Sequence, residues 1–312
     1  MKSELKNIAV IGTGVIGSGW VIRFLYNKKK IYLYDNNLKQ KKILLSEIKR
    51  TGKFLKKFYK STINVQKQLI FCKSISEAVQ NADLIQENVP EKESIKIKVI
   101  KEISKNAKTN AIIASSSSGL LPSKIQQKCK NPKRMLISHP FNPVYLLPLV
   151  ELVGGKKTKQ IYINKAAKFY TNIGMQTLIL KKELPGYLSD RLQESMWRES
   201  LHIINENYAS TKELDSAIIY GPGLRWALMG TFLTFHLAGG QMGMKHMLEQ
   251  FGPALKLPWT KLKAPKLTKN LSNKIIKGTK IQSKGYSIEK LSNIRDNFLI
   301  DLLKIRKKYK IK

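Results

Sequence analysis

The chain has 312 residues, of which 42% are hydrophobic, so it can bury the cores of two ordinary domains and is not a disordered chain. It has no apolar run of about 18 residues, which excludes a membrane-spanning helix on sequence grounds. The net charge of +36 ordinarily suggests nucleic acid or an anionic membrane as partner. Arginine supplies only eight of the 57 basic residues, however, and lysines are spread over the whole chain. We interpret the charge as compositional drift on solvated faces and expect neither partner.

The first half of the chain alternates short β-branched segments with longer amphipathic segments. Strands are predicted over 7–11, 31–34, 82–85, 111–115, 135–138, 149–153 and 176–180, and helices over 15–27 and about 38–59. This alternation is typical of right-handed βαβ crossovers. It predicts an α/β fold with a mostly parallel sheet.

A glycine-rich motif follows the first predicted strand and begins the first predicted helix. It reads Gly12-Thr13-Gly14-Val15-Ile16-Gly17. Gly12 permits a tight turn, Gly14 lets a pyrophosphate approach the backbone, and Gly17 lets the helix pack on the sheet, while the N–H groups of the motif face the phosphates. Asp35 ends the second strand and is placed to accept hydrogen bonds from ribose hydroxyls, which favours NAD over NADP. The motif predicts a Rossmann-type domain, and FAD is not excluded by these residues alone.

From Pro185 onward the periodicity is helical. Apolar residues at Leu188, Leu192, Met196 and Leu201 predict a long amphipathic helix. The lysine-rich segment beyond about residue 265 is interpreted as solvated helices. We therefore place a domain boundary near residue 183, with a nucleotide-binding domain over 1–183 and an all-helical domain over 184–312.

His139 is the histidine that the sequence favours for chemistry. It ends a predicted strand and begins a His-Pro-Phe-Asn-Pro segment, which places the imidazole at the carboxyl edge of the sheet, where open α/β sheets bind their ligands. Glu151 lies in an apolar run, and burying an unpaired carboxylate is expensive. If the two paired, Glu151 would hold one ring N–H and leave the other nitrogen to take a proton. A structural pair without catalysis explains these residues equally well.

The two cysteines, Cys72 and Cys129, have neither the number for a disulfide framework nor the spacing of metal ligands. The first 20 residues contain an apolar run broken by glycines, with no small-residue cleavage site, and so do not resemble a signal peptide. We expect a cytoplasmic protein without a metal cofactor.

Four motifs of the first half together resemble the 3-hydroxyacyl-CoA dehydrogenase family. They are GTGVIGSGW at 12–20, SSSSGL at 115–120, HPFNP at 139–143 and VELVGG at 150–155. In the second half, GPGLRWALMGTF at 221–232, HLAGG at 236–240 and FGPALKLPWT at 251–260 resemble the branch of that family that acts on L-carnitine. The resemblance covers residues 6 to about 262. It implies a Rossmann domain, a helical domain that forms a homodimer, and NAD-dependent oxidation of a 3-hydroxyl group.

Carried over residue by residue, the resemblance implies a catalytic pair formed by His139 and Glu151. His139 would take the proton of the C3 hydroxyl while C3 gives a hydride to NAD, and Glu151 would stabilise the imidazolium. Ser118 would contact the substrate hydroxyl and the nicotinamide. The cofactor-contacting positions of the family fall on Glu91, Lys96 and Asn142.

The chain departs from the acyl-CoA enzymes at one position beside the reacting centre. Those enzymes have an asparagine before the arginine of a PGFxxNR-like motif, whereas this chain has Asp190 before Arg191. The added negative charge suits a cationic substrate better than a neutral acyl chain. L-Carnitine is such a substrate, with a trimethylammonium, a secondary hydroxyl and a carboxylate. We therefore count Asp190 with the catalytic group.

Each end of carnitine has candidate partners in the second half of the chain. Aromatic faces and a nearby carboxylate hold a quaternary ammonium, and a guanidinium suits a carboxylate. The aromatic candidates are Tyr187, Trp197, Trp226, Phe232 and Phe235, with Asp190 or Glu194 as the charge. The arginine candidates are Arg191, Arg198 and Arg225. Such an aromatic segment is also typical of helix packing or of a dimer interface.

Three alternatives remain open on sequence grounds. A short-chain 3-hydroxyacyl-CoA dehydrogenase could use the lysines between residues 39 and 60 to hold CoA phosphates. A sugar-acid dehydrogenase of the same family is a second enzyme reading. A non-catalytic, crystallin-like structural protein that retains the fold is the alternative from another class.

Overall fold

The computed structural model describes residues 5–227, 230–239, 241, 243–253, 257–260, 266, 268–271, 273 and 286–308. The chain forms two compact units, Met1–Asp190 and Arg191–Lys312. The first is an α/β unit and the described part of the second is helical, as the sequence predicts.

The first unit is built on one eight-stranded sheet in the order β3-β2-β1-β4-β5-β6-β7-β8. The strands are β1 Asn7–Ile11, β2 Lys30–Tyr34, β3 Leu69–Phe71, β4 Leu84–Glu87, β5 Ile112–Ser115, β6 Met135–Pro140, β7 Leu149–Gly154 and β8 Gln176–Ile179. All neighbouring pairs are parallel except β6 and β7. The connection between those two strands, residues 141–148, is too short for a crossover helix, so β7 returns antiparallel to β6. Strand β3 was not predicted, because three residues show no usable periodicity.

Helices cover both faces of the sheet. They are α1 Val15–Tyr26, α2 Lys39–Tyr59, α3 Val65–Gln68, α4 Ile75–Val79, α5 Glu93–Asn106, α6 Pro122–Ile125 and α7 Gln160–Asn172. One face packs on α4 and α5 through an aliphatic cluster that includes Ile85, Ile100 and Ile113. The opposite face is aromatic, with Trp20 of α1 stacked on Phe24 at 5.2 Å and tilted against Tyr170 of α7 at 5.3 Å. Because both faces are covered, β1 and β5 are almost entirely apolar, and each fully buried large aliphatic side chain contributes about 1.5–3 kcal/mol.

Two helices anchor the connection that follows His139. The buried guanidinium of Arg23 in α1 donates to the carbonyl oxygens of Val144 at 2.6 Å and Leu147 at 3.1 Å. From α2, the Tyr59 hydroxyl donates to the carbonyl oxygen of Tyr145 at 2.7 Å. The backbone beside the predicted catalytic residue is therefore held from outside the strand itself.

The helices of the second half are α8 Ser189–Asn205, α9 Thr211–Tyr220, α10 Pro222–Trp226, α11 Thr231–Ala238, α12 Met244–Phe251 and α13 Ile288–Lys308. Helix α9 begins with a capping box between Ser210 and Glu213. Of the apolar stripe predicted on α8, Leu201 is buried, whereas Leu192 and Met196 are exposed in the single chain. Residues 274–285 of the lysine-rich segment lie outside the described residues. Across the described residues, every helix is too short or too polar to cross a membrane.

Candidate active site

The glycine motif forms a tight turn between β1 and α1. Gly12 has a φ of +89°, and a side chain there would place its Cβ 2.9 Å from the carbonyl oxygen of Asn88. A side chain at Gly17 would place its Cβ inside the contact distance of the Gly12 carbonyl oxygen. Both positions therefore require glycine, one for the backbone conformation and one for the close approach of helix to turn.

Gly14 differs from the other two glycines, because no atom beyond its chain neighbours and the adjoining turn of α1 lies within 4 Å of the position that its Cβ would take. It is the N-cap of α1, where no side chain caps the helix and the first turn carries no acidic residue. Val15, the next residue, is largely exposed. Open space beside an uncapped helix N-terminus fits the pyrophosphate of a dinucleotide. The residues present therefore fit NAD.

Asp35 follows β2 at the edge of the same turn. Its Oδ2 accepts hydrogen bonds from the Thr13 backbone N–H at 2.6 Å and the Thr13 hydroxyl at 2.8 Å, and its Oδ1 accepts from the Asn37 N–H at 2.8 Å. Each carboxylate oxygen can accept more than one hydrogen bond, so capacity for a ribose hydroxyl remains. Thr13 was not singled out in the sequence, although its place inside the glycine motif marks it as a partner for Asp35.

His139 and Glu151 lie directly opposite each other in the β6–β7 register. His139 Nδ1 is 2.8 Å from Glu151 Oε2, and both side chains are buried. The other carboxylate oxygen, Oε1, accepts from the backbone N–H groups of Leu188 and Ser189, each at 3.0 Å, and from the Ser189 hydroxyl. The pairing expected from the sequence is present, and it follows from the short antiparallel connection.

The environment of Glu151 keeps its carboxylate charged. Burial alone would raise the pKa, but the hydrogen bond from His139 and the N–H groups of Ser189 and Leu188 outweigh burial and lower the pKa below its ordinary value of 4.5. An ionised Glu151 only accepts hydrogen bonds, so Nδ1 of His139 carries the proton between them. Nε2 is then the ring nitrogen that remains for proton transfer.

Asp190 lies on the Nε2 side of the imidazole. Its Oδ2 is 3.5 Å from His139 Nε2, and about a third of its side chain is exposed (34%). The rings of Phe141 and Tyr187 pack against the imidazole at centroid distances of 5.3 and 5.4 Å. His139 is thus oriented by aromatic contacts and lies between two carboxylates, one buried and one facing solvent.

A turn of serines after β5 is held by Glu91. Glu91 Oε1 accepts from the Ser117 hydroxyl and from the backbone N–H groups of Ser118 at 3.1 Å and Gly119 at 3.3 Å. The side chain of Ser118 is exposed, as is that of Asn142 after β6. Both side chains are therefore open to a ligand, and their predicted contacts with substrate and cofactor stay predictions.

Lys96 is nearly completely buried, which its sequence context among many lysines did not reveal. Its ammonium is 2.9 Å from Glu87 Oε1 and 3.4 Å from Glu91 Oε2, and it donates to the Val89 carbonyl oxygen at 3.0 Å. An ammonium has three donors, and these three oxygens account for them. Lys96 therefore supports Glu91, and direct contact with the cofactor ribose stays a prediction. Sequence reasoning missed Glu87, whose burial only the sheet reveals.

Tyr187 is the one aromatic candidate for the substrate that lies in the first unit. Its ring is buried, and its hydroxyl donates to the Leu120 carbonyl oxygen at 2.8 Å. It therefore presents a ring edge or face to His139 rather than a free hydroxyl. Burial raises the pKa of this phenol above its usual range.

The remaining substrate candidates lie on helices of the second unit. They are Arg191, Trp197 and Arg198 on α8, Arg225 and Trp226 on α10, and Phe232 and Phe235 on α11. Trp197, Phe232 and Phe235 are exposed, and Arg198 Nε pairs with Glu194 at 3.0 Å. Their contacts with a substrate stay predictions. In the part of the chain that the structure describes, no group of three His, Cys, Asp or Glu side chains could hold a metal ion.

The dinucleotide turn after β1 and the histidine held by a buried carboxylate near the end of β6 lie at the carboxyl edge of the same sheet, as in an NAD-dependent dehydrogenase. Comparison with known proteins identifies the family of dehydrogenases to which the chain belongs. Residues 7–183 match the model of the 3-hydroxyacyl-CoA dehydrogenase NAD binding domain, and residues 186–287 match the model of the C-terminal domain of the same enzymes. The chain belongs to the 3-hydroxyacyl-CoA dehydrogenase family and is an NAD-dependent 3-hydroxy dehydrogenase. The crystallin-like alternative is thereby set aside.

Individual relatives cover almost the whole chain. It is 50% identical over 308 residues to an L-carnitine dehydrogenase of Bacillus cereus (strain ZK / E33L), covering 99% of this chain and 94% of that protein. It is 47% identical over 305 residues to an L-carnitine dehydrogenase of Oceanobacillus iheyensis, covering 98% and 99%. A solved 5-formyl-3-hydroxy-2-methylpyridine 4-carboxylic acid 5-dehydrogenase superposes with a TM-score of 0.81 at 23% identity, over 97% of this chain and 99% of that chain. The last comparison shows the fold.

Proposed function

We propose that this enzyme oxidises the 3-hydroxyl group of L-carnitine to 3-dehydrocarnitine. The observation that carries the proposal is the Asp190 carboxylate 3.5 Å from His139 Nε2, a negative charge beside the atom that would meet the substrate hydroxyl. In carnitine the trimethylammonium is attached one carbon away from C3. Two relatives that cover nearly the whole chain and are named L-carnitine dehydrogenases support the same substrate.

In the proposed reaction, His139 is the general base. Its Nε2 takes the proton of the 3-hydroxyl, while Nδ1–H stays hydrogen-bonded to Glu151, whose negative charge stabilises the imidazolium. Ser118, on the turn held by Glu91, would steady the substrate oxygen. NAD, when bound, accepts the hydride from C3. The buried pair thus supplies orientation and charge for proton transfer.

The charge of Asp190 also affects which substrates the site favours. A carboxylate and an ammonium about 4 Å apart attract each other by roughly 1–4 kcal/mol, between the limits of bulk water and a protein surface. A neutral acyl chain gains nothing from this charge and loses the hydration of the carboxylate. The site therefore favours a cationic substrate.

Replacing Asp190 with asparagine keeps the side-chain shape and removes its charge. We expect the KM for L-carnitine to rise about tenfold, since 1.4 kcal/mol corresponds to a factor of ten, while the KM for NAD stays within about twofold. Steady-state kinetics with each substrate varied in turn measures both constants. Glu194→Gln, on the same helix but paired with Arg198, is the comparison. A larger effect on carnitine in Glu194→Gln than in Asp190→Asn would assign the ammonium to Glu194 instead.

A second candidate function rests on a lysine-lined cleft in the first unit. The cleft has a volume of about 590 Å³ and is lined by Lys28, Lys53, Lys56, Lys57, Lys60, Ser61 and Thr62. Such a surface would attract the phosphates of an acyl-CoA, which fits a short-chain 3-hydroxyacyl-CoA dehydrogenase. Lysines are spread over the whole chain, so the cleft weighs less than the placement of Asp190.

We also infer a homodimer formed through the helical part and a cytoplasmic location. Large apolar side chains on the described helices of the second unit, among them Leu192, Tyr220 and Leu224, are exposed in the single chain, as expected of a surface that a second copy covers. Cys72 and Cys129 form no disulfide, which fits a reducing compartment.

A further inference from the structure

A buried glutamine lies at the centre of the sheet, behind the proposed active site. Gln86, in the middle of β4, is completely buried. Its amide nitrogen donates to the hydroxyls of Ser116 at 2.8 Å and Ser138 at 2.9 Å, and its carbonyl oxygen accepts from the Tyr170 hydroxyl at 2.6 Å. An aliphatic residue would fill this position of a central strand at lower desolvation cost. The polar side chain therefore calls for an explanation beyond packing.

One branch of these hydrogen bonds leads to the nucleotide turn. The Ser116 hydroxyl accepts from the Trp20 indole N–H at 3.0 Å as well as from Gln86, and it donates to Asn88 Oδ1 at 2.8 Å. The Asn88 side-chain amide in turn donates to the Gln86 backbone oxygen at 3.0 Å. The Asn88 carbonyl is the group closest to the position that a Gly12 side chain would take. The Asn88 backbone N–H donates to the carbonyl oxygen of Ile11, the last residue of β1. Gln86 thereby reaches the turn that faces the pyrophosphate.

The other branch leads to the catalytic strand. Ser138 lies immediately before His139 in β6, and successive side chains of a strand point to opposite faces of the sheet. Holding the Ser138 hydroxyl on one face therefore sets where His139 projects on the other face. Tyr170 of α7 also belongs to this branch, since its hydroxyl donates to the Gln86 side chain. The Tyr170 ring packs on Trp20.

We propose that Gln86 is a positioning residue that holds the nucleotide turn and the His139 strand in fixed relation across the sheet. The two branches meet at the Gln86 amide. Strand β4 lies beside β1, which leads into the nucleotide turn, and is separated by β5 from β6, which carries His139. A buried polar network of this kind specifies one arrangement when every group is satisfied and is costly when one member is removed. The proposal rests on the proposed function in one respect, because it takes His139 as the base.

The test compares Gln86→Met with the double variant Gln86→Met/Tyr170→Phe. Methionine has a similar volume but removes the carbonyl oxygen that accepts from the Tyr170 hydroxyl, and the second substitution removes that hydroxyl. We expect kcat/KM for L-carnitine to fall about tenfold in Gln86→Met. We also expect a lower kcat and a raised KM for NAD. We expect the double variant to regain thermal stability but not kcat/KM. Val79→Ala, a buried truncation on α4 away from the site, is the control for stability loss alone.

A merely structural role predicts a different pattern. Recovery of kcat/KM together with Tm in the double variant would overturn the proposal, and so would a kcat/KM of Gln86→Met within about twofold of the wild type. If Gln86→Met does not fold, Ser116→Ala decides, because it removes the branch to Asn88 and leaves the contacts of Gln86 with Ser138 and Tyr170 in place. It also removes the acceptor of the buried Trp20 indole N–H, so we expect some loss of Tm. We expect its dissociation constant for NAD to rise by more than that of the Val79→Ala control, and a dissociation constant equal to that of the control would overturn the proposal.

NAD binding is measured by titration without substrate, so it does not depend on the identity of the substrate. A wild-type protein that binds NAD but does not oxidise L-carnitine would contradict the proposed function alone. The dissociation constants of Ser116→Ala and Gln86→Met would then still confirm or overturn the positioning role of Gln86.

Discussion

Replacing His139 with asparagine is expected to lower kcat by about 10³-fold, within the range that general acid–base catalysis contributes, while NAD affinity changes by less than about threefold. The asparagine amide can still donate to Glu151 Oε2 in place of Nδ1–H, so the buried carboxylate keeps a partner. No atom of asparagine accepts a proton at the place of Nε2. The substitution therefore removes the proposed base with little disturbance of the pair. Steady-state turnover and NAD titration measure the two effects.

Glu151→Gln is the matched comparison for this prediction. It leaves Nε2 in place but removes the charge that stabilises the imidazolium, so we expect its kcat to lie between those of the wild type and His139→Asn. Removal of a general base is expected to lower kcat by at least about a hundredfold. If His139→Asn retained more than about a tenth of wild-type kcat, another group would have to take the proton. Asp190, close to Nε2, would then be the first alternative to examine.

The glycines of the nucleotide motif differ in what surrounds them, so we expect substitutions at Gly14 and Gly17 to have different effects. Gly14→Ala places a methyl group where no atom beyond its chain neighbours and the adjoining turn of α1 lies within 4 Å, at φ and ψ angles of −60° and −167° that alanine tolerates. We expect Tm to stay within about 1 °C of the wild type, as for a surface substitution without strain. We expect the dissociation constant for NAD to rise at least about tenfold, since the methyl group fills the space of the pyrophosphate. Thermal unfolding and NAD titration test this separation.

Gly17→Ala is the matched variant in the same motif. Its Cβ would overlap the Gly12 carbonyl oxygen, so the helix must move away from the turn. We expect a loss of about 3 kcal/mol or more of unfolding free energy, at the upper end of overpacking effects. Wild-type NAD affinity in Gly14→Ala would place the pyrophosphate elsewhere, and wild-type stability in Gly17→Ala would contradict the close packing of α1 on the turn.

Most of the sheet was predictable from the sequence, because strands that are covered on both faces are short runs of β-branched and aliphatic residues. The observed bounds of β1 coincide with the prediction, and those of β2 differ by one residue. Two features were not predictable in this way. Strand β3 is too short to show a pattern, and the reversed direction of β7 depends on the length of the connection before it rather than on the strand's own residues.

The candidate site was predictable where one residue type stood out from its local context. His139 before a proline-rich turn and Glu151 inside an apolar run are such cases, and the structure pairs them. Gln86 and Glu87 were not found, because their partners come from strands and helices distant in the sequence. Lys96 was hidden by the abundance of lysine, and only its burial between Glu87 and Glu91 distinguishes it.

We propose a cationic 3-hydroxy acid as the substrate, and NADH formation from a panel of candidate substrates tests this proposal. The purified protein is supplied with NAD and, in separate reactions, with L-carnitine, D-carnitine, 3-hydroxybutyryl-CoA and L-gulonate. We predict that L-carnitine supports NADH formation with the highest kcat/KM of the four. NADH formation from 3-hydroxybutyryl-CoA alone would contradict the assignment and favour the acyl-CoA enzyme.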